Sequence, residues 1–282
     1  MKYQKYVTTS QLTNYQSTPQ NPTKCIFFYH QNQANPGAAV INQVIGGIPL
    51  KINGQKIQRV TKFNFLGILF TSTMSWKAHT DKISSKIGRS IGMLNRLKFF
   101  IPGYVRKMLY SSLIHSHLTY GILAWGFNPG RLPTLQKKAI RAVVGARYNS
   151  HTEPMFKFLK ILTVKDIFTL RCLKFLYNLK NNLCPHYLKQ MFITAGETHG
   201  YNTRGAGVFH VKTTNTQGAT NCLRHYIPNH IEKFDKRVTD KISTHSPEGF
   251  SNYAKNFILE SYKDHVECDR GPTCFSCYGR PS

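Results

Sequence analysis

Four side chains able to hold a soft metal ion fall within one short run, "DHVECDRGPTCFSCYGRPS". His265, Cys268, Cys274 and Cys277 stand there as H-x2-C-x5-C-x2-C. A tetrahedral zinc site takes four nitrogen or sulfur ligands, and a Cys-x2-Cys pair can close on one ion from a single turn. The gap between the two pairs is short for common zinc folds. The run therefore reads either as a zinc site or as a tail carrying three free thiols.

A second set is suited to phosphate. Lys82, Lys86, Arg89 and Arg96 recur at helical spacing, so they share one side of a helix, and no carboxylate interrupts the stretch from Lys82 to Lys98. Helices that merely solvate a charged side usually mix signs to form ion pairs. A one-sign side matches a polyanion instead. Lys137, Lys138 and Arg141 repeat the pattern further along.

Other chemistry is poorly provided for. Two-metal phosphoryl transfer needs clustered carboxylates, yet the chain has no Asp-Asp pair and no acidic residue before Asp81. "VIGGIP" lacks the Lys-Ser/Thr that would make it a phosphate loop. His115, His117 and His151 lie among apolar residues and read as packing histidines.

The whole composition has the same bias. In 282 residues, 38 Lys and Arg oppose 12 Asp and Glu, a net charge of +26 that attracts polyanions, nucleic acid above all. No run approaches the ~18 continuous apolar residues of a membrane span. The first residues have no apolar stretch of the secretory kind, and seven Cys is an odd number, four of them (Cys25, Cys172, Cys184, Cys222) scattered. An intracellular chain, nuclear or cytoplasmic, is expected, neither secreted nor membrane-bound.

The elements that must position these groups follow from periodicity. Residues 1–20 are polar and read as a disordered lead-in. Over 21–70 the signals are β-type: "CIFFYH", "LKINGQKIQRV" alternating about Asn53-Gly54, and "FNFLGILF" broken at Gly67. From Trp76 the period becomes helical, with Ile83, Ile87, Ile91 and Leu94 on one face. Pro102 suits the first turn of a second helix with Val105, Leu109 and Leu113 inward. A third helix places Leu135, Ala139 and Val143 inside, with Lys137, Lys138, Arg141 and Arg147 outside. "TVKDIFTLRCLKFLYNLK" gives a fourth. Residues 193–282 read as a looser segment with one late amphipathic helix near "SNYAKNFILESYKDHV". The fold class expected is mainly α with a small β remnant (α+β), the helical region covering 71–192.

The order of several stretches resembles the reverse transcriptases of LINE-type (non-LTR, jockey-like) retrotransposons. "NPTKC" is similar to the family's Asn-x-x-Lys-Thr step after the palm strands. "FLGILFTSTMSWKAHTDKISSKIG" is similar to its Phe-Leu-Gly primer grip and the start of its thumb. "LYSSLIHSHLTYGILAWG" resembles a thumb segment ending Trp-Gly, and "LQKKAIRAVVGARYNSHTEPMFKFLKILTVKD" the block after it. "YNTRGAGVF" echoes a Tyr-x-Thr-Arg element. The resemblance implies a thumb-like helical bundle after a palm-edge hairpin. It implies that Phe65, Leu66 and Gly67 form the primer grip, and that the Lys/Arg stripe lies on template–primer phosphates. The family's magnesium-binding carboxylates have no counterpart here, so no catalytic cofactor and no polymerase activity of the chain alone are expected. The expectation is a fragment of such an RNA-directed DNA polymerase. The alternatives are a non-enzymatic nucleic-acid-binding or interaction protein on the same scaffold, or a translated relic without a role.

Overall fold

The computed structural model describes residues 24–26, 28, 51–52, 54–192, 194, 196, 223–231, 234 and 236–262. It is mainly helical with a small strand content, as the periodicity indicates. The chain divides into two units, Met1–Ser75 and Trp76–Ser282.

The first unit carries the strands. β1 (Lys24–Cys25) pairs in parallel with β4 (Gln58–Arg59), and β2 (Lys51–Ile52) is antiparallel to β3 (Gln55–Lys56). The second pair turns at Gly54, whose φ of +78° costs nothing without a Cβ. β5 (Lys62–Phe65) and β6 (Ile68–Thr71) form the longest hairpin, with Phe65 opposite Ile68. Its two turn residues, Leu66 and Gly67, both have positive φ, the geometry that matches the twist of a two-residue hairpin. Beyond β6, Thr71 Oγ1 donates to Ser75 O at 2.9 Å and accepts from Ser75 N at 3.0 Å, closing the unit.

The second unit is helical. α1 (Lys77–Leu97) buries Ile83, Ile87, Ile91 and Leu94, the stripe its spacing calls for. Each such side chain contributes about 1.5–3 kcal/mol of transfer free energy before ordering costs. α1 packs chiefly on α5 (Leu132–Val144). Between them α2 (Gly103–Tyr110) runs through a π turn at Ser111–His115 into α3 (Ser116–Thr119), followed by the short α4 (Ile122–Trp125). Of the inward face expected here, Leu109 and Leu113 are half-buried and pack against the core and Val105 is half-buried, while Tyr110, Ile114 and Leu118 are buried more deeply. The helix widens at this point into the π turn, with Ser116 N donating to Ser111 O.

α6 (Glu153–Leu159) leads to α7 (Val164–Lys180), followed by α8 (His186–Lys189). The Thr163 side chain caps α7 by accepting from Asp166 N at 3.3 Å. α9 (Leu223–Ile231), α10 (Lys236–Thr239) and α11 (Pro247–Glu260) complete the unit, and α9 and α11 pack on α7. Residues 236–262, read from sequence as part of a looser segment, place Val238, Ile242, Phe250, Ala254 and Ile258 in the same core. Tyr177 fastens them, stacking on Phe250 at 5.1 Å and donating its hydroxyl to His245 O at 2.8 Å.

Candidate nucleic-acid interface

Helical geometry sorts the side chains of α1 into arcs. At 100° per residue, Lys82, Lys86, Arg89 and Arg96 fall together, away from the buried Ile/Leu stripe. Lys86, Arg89 and Arg96 are exposed and Lys82 is half-buried. The arc runs about 21 Å along the axis, from a rise of about 1.5 Å per residue. Gly88 and Gly92 flank it, both exposed, and a Cβ on either would meet nothing within 4 Å. The helix backbone is therefore open at these two positions, beside the line of cations.

Of the second basic set, Lys137 and Lys138 are exposed on α5. Arg141, expected outside, is half-buried, and its Nε donates to Ser150 O at 2.9 Å. It also accepts at its carbonyl from Gly145 N and Ala146 N. Arg141 thus holds the turn after α5 in place.

In the first unit, Phe65 is 55% and Leu66 73% exposed at the hairpin tip. Leu66 sits at φ +46°, a left-handed conformation that costs a residue bearing a Cβ about 1–2 kcal/mol. Gly67, at φ +82°, takes the same region freely. The tip presents apolar side chains on a fixed backbone.

The zinc candidates His265, Cys268, Cys274 and Cys277 lie outside the described residues. Metal analysis of reduced protein tests them: stoichiometric zinc lost in Cys274→Ser supports the site, and zinc-free parent protein ends it. Among the described residues no group of three or more His, Cys, Asp or Glu could hold a metal ion, and no helix is long and apolar enough to cross a membrane. Burial pushes the Cys172 thiol up to about 12, which leaves it unreactive as a nucleophile.

Several polar residues of the motif-bearing stretches turn out to hold the scaffold. Gln136 is buried on α5; its Nε2 donates to Tyr110 Oη at 3.0 Å and Leu162 O at 2.9 Å, and its Oε1 accepts from Val164 N at 2.8 Å. Trp125 is fully buried, with Nε1 donating to Tyr120 O at 3.1 Å. A Cβ on Gly126 would lie 2.5 Å from the Phe168 ring, so only glycine fits there. Tyr262 donates its hydroxyl to the Asp166 carboxylate and accepts from Thr163 N at 3.0 Å, latching the end of α11 to α7. Spacing alone cannot separate such buried polar hubs from surface polar residues.

Three histidines set a pH response, one of them His117, whose pKa is lowered by burial and then by the positive charge of Lys86. Burial, followed by the positive charge of Lys82, lowers the His79 pKa. Burial, then Lys255 and Arg171, lowers that of His115, whose Nδ1 is buried without a hydrogen-bond partner. The unfolded chain therefore binds more protons than the folded one below the ordinary histidine value of about 6.5, and stability rises with pH through that window. Melting temperature is expected to fall as pH drops below about 6.5, and less steeply in His115→Asn. An unchanged melting temperature across that range contradicts the assignment.

No family model matches the sequence, and no curated protein or solved structure matches it.

Proposed function

We propose that the helical unit grips a nucleic-acid duplex by its phosphates, in the manner of the thumb that the sequence resembles in LINE-type reverse transcriptases. The observation that carries this reading is the linear arc on α1, where exposed Lys86, Arg89 and Arg96 line up opposite a fully buried apolar stripe. Phosphate contacts position a duplex without reading its sequence, so binding is sequence-independent. Under the same reading the hairpin tip of Phe65, Leu66 and Gly67 approaches the primer strand. Strand synthesis is assigned to no residue of this chain, because it lacks the paired carboxylates that would hold two metal ions. An intracellular location, nuclear or cytoplasmic, suits such a partner.

The second reading is a non-enzymatic basic binding or interaction protein on the same scaffold. The net charge of +26 favours it, since an excess spread over the whole chain attracts any polyanion.

Titration of a labelled template–primer duplex at several salt concentrations tests the first reading. With about six phosphates neutralised, log affinity falls with log salt at a slope near −5. A slope near zero refutes the proposal.

A further inference from the structure

The turn between α1 and α2 exposes large apolar rings that the core does not use. Phe99 is 81% and Phe100 82% exposed, the highest values among the large apolar side chains of the described residues. A few residues on, Tyr104 is 70% and Met108 65% exposed, one helical turn apart on the outer side of α2. Lys107 lies between them and is also exposed. Lys98 Nζ sits 4.8 Å from the centroid of the Phe99 ring. Rings and cations alternate along this short stretch.

The main chain beneath them is fixed. Phe100 N and Ile101 N both donate to Leu97 O, at 2.9 and 3.1 Å. Arg106 reaches back from α2 and donates Nη1 to Lys98 O at 2.9 Å. Gly145, at the end of α5 and at φ +84°, backs the Arg106 guanidinium: a Cβ there would lie 3.3 Å from it. A loop held by three hydrogen bonds to the Leu97 and Lys98 carbonyls presents its rings without a large ordering cost on binding, which is what a stacking surface requires.

Charge selects the occupant. From Lys82 to Thr152 the chain contains twelve Lys and Arg and no carboxylate, so the partner is polyanionic. Flat, exposed rings interleaved with cations are the arrangement that holds unpaired bases, because every base has a face to stack and a phosphate to neutralise. An anionic membrane surface has matching charge, but the cations of α1 form a line rather than a sheet. That line ends at Arg96, immediately before the rings.

We infer that Phe99 and Phe100, with Tyr104, Met108, Lys98 and Lys107 around them, form a stacking platform for unpaired bases of a single strand. The inference rests on the duplex reading of α1 for its geometry: a strand leaving the duplex at the Arg96 end meets the rings.

The test uses the full chain, a short oligo(dT) strand and a blunt duplex, with Phe99→Ala/Phe100→Ala and Phe99→Trp/Phe100→Trp. Stacking on aromatic rings is worth about tenfold or more in affinity per base. The alanine pair is expected to weaken oligo(dT) binding by about 100-fold, and the tryptophan pair to retain it. The slope of log affinity on log salt stays unchanged in the alanine pair, because phosphate contacts remain, and duplex affinity changes little. Unchanged oligo(dT) affinity overturns the platform. So does alanine-pair loss confined to vesicles of phosphatidylserine and phosphatidylcholine, or to self-association in sedimentation. Lys86→Glu/Arg89→Glu separates the two proposals: if it leaves duplex binding intact the thumb reading fails, whatever the rings do. Both Phe side chains are exposed, so the variants fold, and circular dichroism verifies this.

Discussion

Lys86→Glu/Arg89→Glu is expected to weaken duplex binding by about 100-fold near physiological salt, with the helical unit intact. Each neutralised phosphate contributes a factor of about five under those conditions, and reversing two charges replaces attraction with repulsion. The slope of log affinity on log salt becomes shallower by about two. Both side chains are exposed on α1, across from Ile83, Ile87, Ile91 and Leu94, so neither change touches the core. Lys137→Glu/Lys138→Glu provides the comparison. If it costs as much as the α1 pair, duplex contact extends over α5; if the α1 pair costs nothing, α1 is not the contact surface.

Gln136→Leu is expected to lose about 3–5 kcal/mol of folding stability, enough to unfold a marginal unit. Leucine has similar volume, so the loss comes from hydrogen bonding rather than a cavity. Tyr110 Oη, Leu162 O and Val164 N lose the same partner at once, each about 1–3 kcal/mol to leave buried and unsatisfied. Burial already holds the Tyr110 hydroxyl well above its ordinary pKa, so it cannot ionise to recover the loss. Tyr110→Phe removes one of the three contacts and costs about 1 kcal/mol. Chemical denaturation of the three proteins measures both; a Gln136→Leu loss no larger than that of Tyr110→Phe contradicts the hub.

What the sequence made legible was local. The stripe Ile83, Ile87, Ile91, Leu94 and the cationic arc beside it are set by a 3.6-residue period, and the structure has both. The turns at Gly54 and Gly67 followed from residue type. Features that depend on distant chain were not legible. Arg141 looked like a surface cation because its acceptor, the Ser150 carbonyl, lies beyond the turn that ends α5. Nothing in the spacing marks Gln136 as buried, because its three partners come from α2 and the α6–α7 junction. Tyr110, Ile114 and Leu118, each one position on from Val105's i+4 series, are the most deeply buried residues around the π turn at Ser111–His115, and no spacing rule marks such a turn. The helices of residues 236–262 packed against α7 through Tyr177 and Tyr262, contacts spanning 68 and 96 residues of sequence. Phe99 and Phe100 lie just beyond the last turn of α1, outside its stripe, and only their exposure shows that the core leaves them out.

The most direct test of a shaped duplex grip is competition of labelled template–primer duplex against heparin at matched charge concentration. On the proposed reading the line of cations on α1 follows the phosphates of a duplex, so heparin should displace the duplex only at a large excess, and Lys86→Glu/Arg89→Glu should abolish that preference. Equal displacement at equal charge would mean that the protein is a general polyanion binder, and that α1 carries no duplex-specific shape.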